Sequence, residues 1–291
     1  MKNRLIKLMC LIGCILMLTS CFNYKTEEVT KMNLIELYQY NQYLINENKN
    51  LTDNIDSLIE QSDGKTYNEL VEMINYLNTE IIKSNVMITS ESKSFFNSTS
   101  VSSGSGTIIK EDNNYYYVLT NNHVIYSLGN RVSYYVYDYL NHEYTGAKVI
   151  FADANYDMAL LRFNKGQNKL LVTPFALQDS AIKENIIVIG QPLGQRNAIT
   201  FGEVLSYGKV DCQSCGVDES NINYDCVFYD AITSNGNSGG MILNYNYELV
   251  GVVTFGMNGA NGEYLHGAGS PISKVKEFLS LNQFEVGDQN D

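Results

Sequence analysis

The chain has no tryptophan, only three prolines and three histidines, and 20 basic residues against 32 acidic ones. The missing tryptophan and scarce proline, set beside abundant asparagine and tyrosine, reflect genome composition and exclude no activity. The shortage of positive charge excludes more. The net charge is −12, and removing the three cations of residues 1–20 leaves about −15 on the remainder. Nucleic acids and anionic lipid surfaces would repel such a chain, so neither is expected as a partner. Hydrophobic length is also limited at the N-terminus, where the apolar run from Leu8 to Leu18 is too short to cross a bilayer comfortably.

That run has the layout of a targeting segment. Lys2, Arg4 and Lys7 form a basic region ahead of it, and it ends Leu18-Thr19-Ser20-Cys21. Small residues followed by cysteine resemble the bacterial lipoprotein box, which implies cleavage after residue 20 and lipidation of Cys21. Two acyl chains on a diacylglycerol thioether suffice for stable anchoring. The expectation is a protein tethered to the outer face of the cytoplasmic membrane. An ordinary signal peptide, or an uncleaved anchor in which Cys21 is incidental, is the alternative.

Residues 22–30 read as a polar tether. Beyond it Leu37, Leu44, Leu51 and Leu58 recur every seven residues, with Leu34 and Ile55 flanking, but Asn41 and Asn48 spoil two layers of the seam. A helix is expected there and a stable coiled coil is not. Gly64 interrupts, and Thr66-Tyr67-Asn68-Glu69 has capping-box spacing. It opens a second helix with Leu70, Ile74, Leu77 and Ile81 on one face. The pair reads as a hairpin or spacer holding the rest off the bilayer, or as a segment for partner binding or oligomerisation.

From Val86 the apolar period changes from helical to two. Strand-like runs cover 86–89, 107–110, 115–120, 131–140, 148–151, 158–163, 184–190, 199–207, 227–231, 241–244 and 249–255, separated by polar turns. Roughly a dozen short strands without intervening helices indicate an all-β barrel or sandwich. A closing helix is expected over 272–281, packing Val275, Phe278 and Leu279.

Within this β region lies Gly236-Asn237-Ser238-Gly239-Gly240. Its glycines permit a tight turn around one serine and can aim the amides of Gly236 and Ser238 at a single point. A serine hydroxyl needs a base to be a nucleophile. His123 ends the strand-like run Tyr117–Ile125, and Asp157 opens the apolar run Asp157-Met158-Ala159-Leu160-Leu161. Singly, each has a bland explanation: core histidine, strand cap, turn residue. The order His, Asp, Ser in these contexts is far more specific.

These residues, with Gly104-Ser105-Gly106-Thr107, Thr120–Ile125, Ile189–Gly194, Ile199–Gly202 and Asp230-Ala231-Ile232, resemble the trypsin-fold serine proteases, and the HtrA (Deg) branch most. The resemblance covers about residues 79–281. It implies two six-stranded antiparallel β-barrels with a C-terminal helix and a cleft between them, with His123 as general base, Asp157 as its orienter and Ser238 as nucleophile. Gly236 and Ser238 would form the oxyanion hole. It also implies a substrate pocket with Ile232 as floor, Thr233 beside it, and walls near Val253–Phe255 and Gly267–Ser270, including Thr254 and Ala268. A neutral floor disfavours Lys or Arg before the scissile bond, because an unpaired buried cation would cost several kcal/mol. A small to medium aliphatic side chain is expected there. Acidic specificity would require a pocket histidine, and the positions carrying one in that family fall here at Val252 or Val253, with His266 on a different loop.

Three departures from the family stand out. Only ten residues follow Leu281, too few for a PDZ domain. The residue before the serine is Asn237, which cannot hold a freed N-terminal amine as an aspartate would, so ordering of the loop by substrate or partner is expected instead. Cys212, Cys215 and Cys226 cluster ahead of the nucleophile loop, Cys10 and Cys14 leaving with the leader. A disulfide, free thiols or a metal site remain open for that trio. No second CxxC or nearby histidine supports a metal, and neither metal nor organic cofactor is expected. His142, in a polar turn, reads as solvated.

The expected organisation is a leader over 1–20, a tether and helical spacer over 21–80, a trypsin-like domain over 81–281 and a polar tail over 282–291. The expected activity is hydrolysis of peptide bonds in proteins or peptides, outside the cytoplasm, with oligomeric state open. A binding or chaperone-like lipoprotein that keeps the fold without turnover is the competing expectation.

Overall fold

A computed structural model describes residues 67–93, 99–127, 131–192, 196–210, 220–258 and 264–286. The leader, Cys21, the tether, the heptad segment, Cys212 and Cys215 lie outside the described residues. The chain divides after Met73 into two units, and all the strands lie in the second.

Twelve strands close into two antiparallel barrels, as the alternating pattern and the family resemblance required. In the first barrel the order is β1 (Asn85–Lys93), β2 (Thr99–Glu111), β3 (Tyr115–Thr120), β6 (Met158–Asn164), β5 (Glu143–Asp153) and β4 (Arg131–Tyr137), with β4 returning to β1. The second runs β10 (Met241–Leu243), β11 (Leu249–Asn258), β12 (Tyr264–Pro271), β9 (Cys226–Tyr229), β8 (Ala198–Gly208) and β7 (Asn185–Gly190). Closure removes every edge strand, and the inward side chains build one core per barrel. Val86, Ile88, Ile108, Val118, Leu161 and Phe163 fill the first; Ile186, Val188, Val204, Val227, Tyr229 and Ile242 fill the second.

The connection between barrels is strapped to both. Thr173 donates its amide to Ile108, and Ala176 and Leu249 exchange bonds with Leu249 and Pro174. Helix α1 (Tyr67–Thr79) precedes a 3₁₀ turn over Ile81–Ser84. Leu77 of the expected helix face is fully buried, whereas Ile74 is 37% exposed. The single turn α2 (Asn122–Ile125) follows β3, and α3 (Ile272–Leu281) buries Val275, Phe278 and Leu279 as its pattern demanded.

Two strands differ from the sequence expectation. β12 has no run of alternating apolar residues, because Tyr-Leu-His-Gly-Ala-Gly-Ser-Pro pairs through its backbone while its glycines admit close neighbours. A Cβ at Gly267 would lie 2.2 Å from the Tyr229 ring. β2 begins eight residues before the expected 107–110 run, since its polar Ser/Gly half pairs with β1 from Lys93↔Thr99 onward.

Candidate active site

The site is built from strand ends. β3 stops at Thr120, and Asn121, extended at φ −82° and ψ 153°, leads into α2 so that His123 sits one turn in. Asp157 immediately precedes β6 in the left-handed region, φ +48°, a conformation that aspartate tolerates better than most residues. Asn121 is fully buried, and its side-chain amide donates to the Asp157 carbonyl at 2.9 Å, pinning that backbone.

Asp157 is fully buried, and both carboxylate oxygens are committed to His123. One accepts the His123 amide at 3.0 Å and the other meets Nδ1 at 2.7 Å. Charge-assisted bonding of this kind holds the proton on Nδ1, leaving Nε2 as the basic nitrogen. Further in, the Tyr224 hydroxyl lies 2.6 Å from Ser270 Oγ and donates to the Tyr156 carbonyl at 2.7 Å. Burial pushes the Tyr224 phenol up, and the negative charge of Asp157 adds to the shift.

Ser238 comes from the second barrel. Gly236 and Gly239 both take positive φ, +99° and +84°, so the backbone reverses on each side of the serine. Asn237 donates to the Ser234 carbonyl and Gly240 to the Asn237 carbonyl, while Gly239 donates to Val253. Peptide planarity turns the Ser238 N–H away from the Asn237 carbonyl that Gly240 has taken. Among the described residues neither the Gly236 nor the Ser238 amide has a backbone partner. The Ser238 hydroxyl donates to the Thr254 carbonyl at 3.2 Å. The next residue, Phe255, stacks on His123 with ring centroids 6.1 Å apart. Ser238 and His123 thus meet adjacent residues of β11, Thr254 and Phe255.

The pocket residues fall differently. Thr254 and Ala268 are buried, as is Thr233, whose hydroxyl donates to the fully buried Tyr229 phenol at 3.2 Å. Ile232 is the exception. It is 65% exposed, and its carbonyl rather than its side chain is engaged, accepting from Thr200 at 3.0 Å. Counting back from the serine gave the position but not the direction of the side chain, and Ile232 lacks the burial expected of a pocket floor. His266 packs edge-on against Phe228, centroids 5.1 Å apart, opposite Met257. His142 is not simply solvated: it lies 3.5 Å from buried Asp138 and 2.6 Å from the Asn168 amide. Cys226 carries a free, fully buried thiol.

Two closed barrels with a buried Asp–His pair facing a glycine-hinged serine define the two-barrel hydrolase class. Residues 104–252 match the family model described as a trypsin-like peptidase domain, and the chain belongs to that family. Relatives include the serine protease Do-like HtrA of Bacillus subtilis (strain 168), 28% identical over 77% of this chain and 51% of that protein. The periplasmic pH-dependent serine endoprotease DegQ of Escherichia coli (strain K12) is 34% identical over 52% of this chain and 30% of its own length. The periplasmic serine endoprotease DegP of Salmonella typhimurium is 31% identical over 61% and 35%. The chain thus spans about half or less of the length of the relatives it matches.

Proposed function

We propose that this protein is an extracytoplasmic serine endopeptidase in which Ser238 attacks a peptide carbonyl. His123 Nε2 accepts the serine proton and later delivers it to the leaving amine. Asp157 holds the Nδ1–H tautomer and stabilises the imidazolium. The Gly236 and Ser238 amides receive the oxyanion, where preorganised donors act most strongly. The observation carrying this reading is the fully buried Asp157, both of whose oxygens are spent on His123 in the cleft that holds Ser238. Burying a carboxylate costs several kcal/mol unless it is paired, and here both of its oxygens are paired with His123, one with the backbone amide and one with the imidazole.

The scissile bond follows a small or medium aliphatic residue in this proposal. Its support is the neutral wall of Thr233, Tyr229, Thr254 and Ala268. The relatives' periplasmic names, together with the Leu18–Cys21 box, support placement outside the cytoplasmic membrane with Cys21 as lipid anchor. A Cys21→Ala variant then loses membrane fractionation or keeps its leader; a processed variant still on membranes would overturn the anchor.

Labelling with a fluorophosphonate probe tests the chemistry. Wild type should be modified covalently on Ser238 and Ser238→Ala should not. An unlabelled, well-folded wild type would mean a protease-fold binding protein instead.

A further inference from the structure

Ser105 lies in the half of β2 that the alternating pattern misses, and it is completely buried. Its hydroxyl donates to the Gly236 carbonyl at 2.7 Å and accepts the Gln191 amide at 2.9 Å. Its own amide donates to the Ser238 carbonyl at 2.7 Å, and its carbonyl accepts the Thr120 hydroxyl at 2.6 Å. Every polar group of one first-barrel residue is thereby committed, and two of them grip the carbonyls of Gly236 and Ser238. Those are the residues whose amides the proposal above assigns to the oxyanion.

We infer that Ser105 is the positioning residue of the oxyanion loop, acting from the opposite barrel. The inference rests on the endopeptidase reading above. Gly236 sits at φ +99° with no side chain to fix it, so the direction of its N–H depends on how the peptide that follows is held. The Ser105 hydroxyl holds that following peptide, 236–237, by the Gly236 carbonyl, and the Ser105 amide holds the 238–239 peptide by the Ser238 carbonyl, so the loop is gripped on both sides of the 237–238 peptide that carries the Ser238 N–H. Gln191 holds the hydroxyl in turn: its amide fixes the Ser105 lone pair, leaving the proton for Gly236. Gln191 is itself clamped, its Oε1 accepting the Asn197 amide at 3.0 Å and its Nε2 donating to Asn197 Oδ1 at 3.2 Å. The contact gives first-barrel chemistry control over second-barrel transition-state binding without Ser105 touching substrate.

The test compares wild type, Ser105→Ala and Ser105→Cys, each titrated with a fluorophosphonate so that rates refer to folded, nucleophilic molecules. Ser105→Ala should lose about 10- to 100-fold in kcat, less than deletion of an oxyanion donor itself, with KM within about twofold. A peptidyl boronic acid, which needs the oxyanion hole, should bind about 10- to 100-fold more weakly, while the matching peptide amide should bind as to wild type. Ser105→Cys keeps the size of the side chain with a weaker donor and should fall between; it decides the matter if the alanine variant yields no folded protein. An unchanged ratio of boronic acid to amide affinity in the folded variant overturns the inference, because a packing role alone would lower yield or Tm and leave that ratio alone. Failure of wild type to react with the probe would instead strike the endopeptidase reading.

Discussion

The two barrels contribute to the cleft by opposite means. The first supplies side chains with their orientation fixed by pairing: buried Asp157 gives both oxygens to His123, and Asn121 locks its backbone. The second supplies backbone groups on a loop bent by positive-φ glycines around Ser238. The hydrogen bonds of the Asp157–His123 pair stay within its barrel, whereas the Ser238 loop is braced from outside through Ser105. A pair of rigid barrels can thus carry a site that only their mutual contact completes.

The comparison breaks hardest at the chemistry. Ser238→Ala or His123→Ala should each reduce kcat for casein cleavage on the order of 10⁴-fold or more, with thermal unfolding little changed. Residual cleavage by the purified serine variant near wild-type rate would sink the assignment. The next effect tests the bracing. A Cβ at Gly239 would lie 2.2 Å from both the Ser105 carbonyl and Thr120 Oγ1, at φ +84°. Gly239→Ala should cost about 2–4 kcal/mol, lowering Tm by about 5–15 °C, together with most of the activity. Gly146 is the control. It has φ +72° with nothing within 4 Å, so Gly146→Ala should cost only about 1 kcal/mol. Equal losses at both sites would show that backbone strain, not contact between barrels, is what matters.

A third prediction isolates the first barrel. Asp138 is 1% exposed and accepts from the Leu140 and His142 amides, the Tyr144 hydroxyl and the Asn168 amide. Burial pushes its carboxyl up, but those hydrogen bonds outweigh burial and hold it below the usual carboxylate range. Its contribution to stability is therefore complete above the unfolded value near pH 3.9 and disappears as pH falls through the lower folded value. Asp138→Ala should cost about 3 kcal/mol by stranding buried donors, measured by denaturant unfolding at pH 7. Probe labelling per folded molecule should stay at the wild-type rate, since the groups that bond the Asp138 carboxylate (the Leu140 and His142 amides, Tyr144 and Asn168) all lie outside the Ser238 loop. Slower labelling would tie the two barrels together by a second route.

What the sequence revealed follows the same division. His123, Asp157 and Ser238 stand in short contiguous motifs, and eleven strands contain short apolar runs, some alternating and some continuous, that a single chain displays directly. β12 does not, since its glycines serve close packing against Tyr229 rather than burial of their own side chains. The part of Ser105 was illegible for another reason: its partner Gly236 is 131 positions away, and no local pattern encodes a long-range hydroxyl-to-carbonyl bond. The bond from Asn121 to the Asp157 carbonyl escaped in the same way, as did the one from Ser238 to the carbonyl of Thr254, a residue expected only as part of the pocket wall. Ile232 was placed by counting, which fixes an address on a loop but not which way the loop turns its side chain.

The smallest expected effect lies on the second barrel, where Cys226 opens β9. Its thiol is fully buried, and burial pushes its pKa up to about 12, with the charge of Asp157 adding to the shift. At pH 8 only about one thiol in 10⁴ would be the reactive thiolate even if reagent could enter. Iodoacetamide should therefore leave Cys226 unmodified over an hour in native buffer and alkylate it fully in guanidinium, as read by mass spectrometry of its peptide. Cys226→Ala should cost about 1 kcal/mol through lost packing and change kcat less than twofold, because the sulfur contributes volume rather than chemistry. Rapid native alkylation would mean that β9 separates from β8 and β12 under these conditions. The second barrel would then be the looser of the two in its sheet as well as in its loop, and bracing by Ser105 would have to compensate for both.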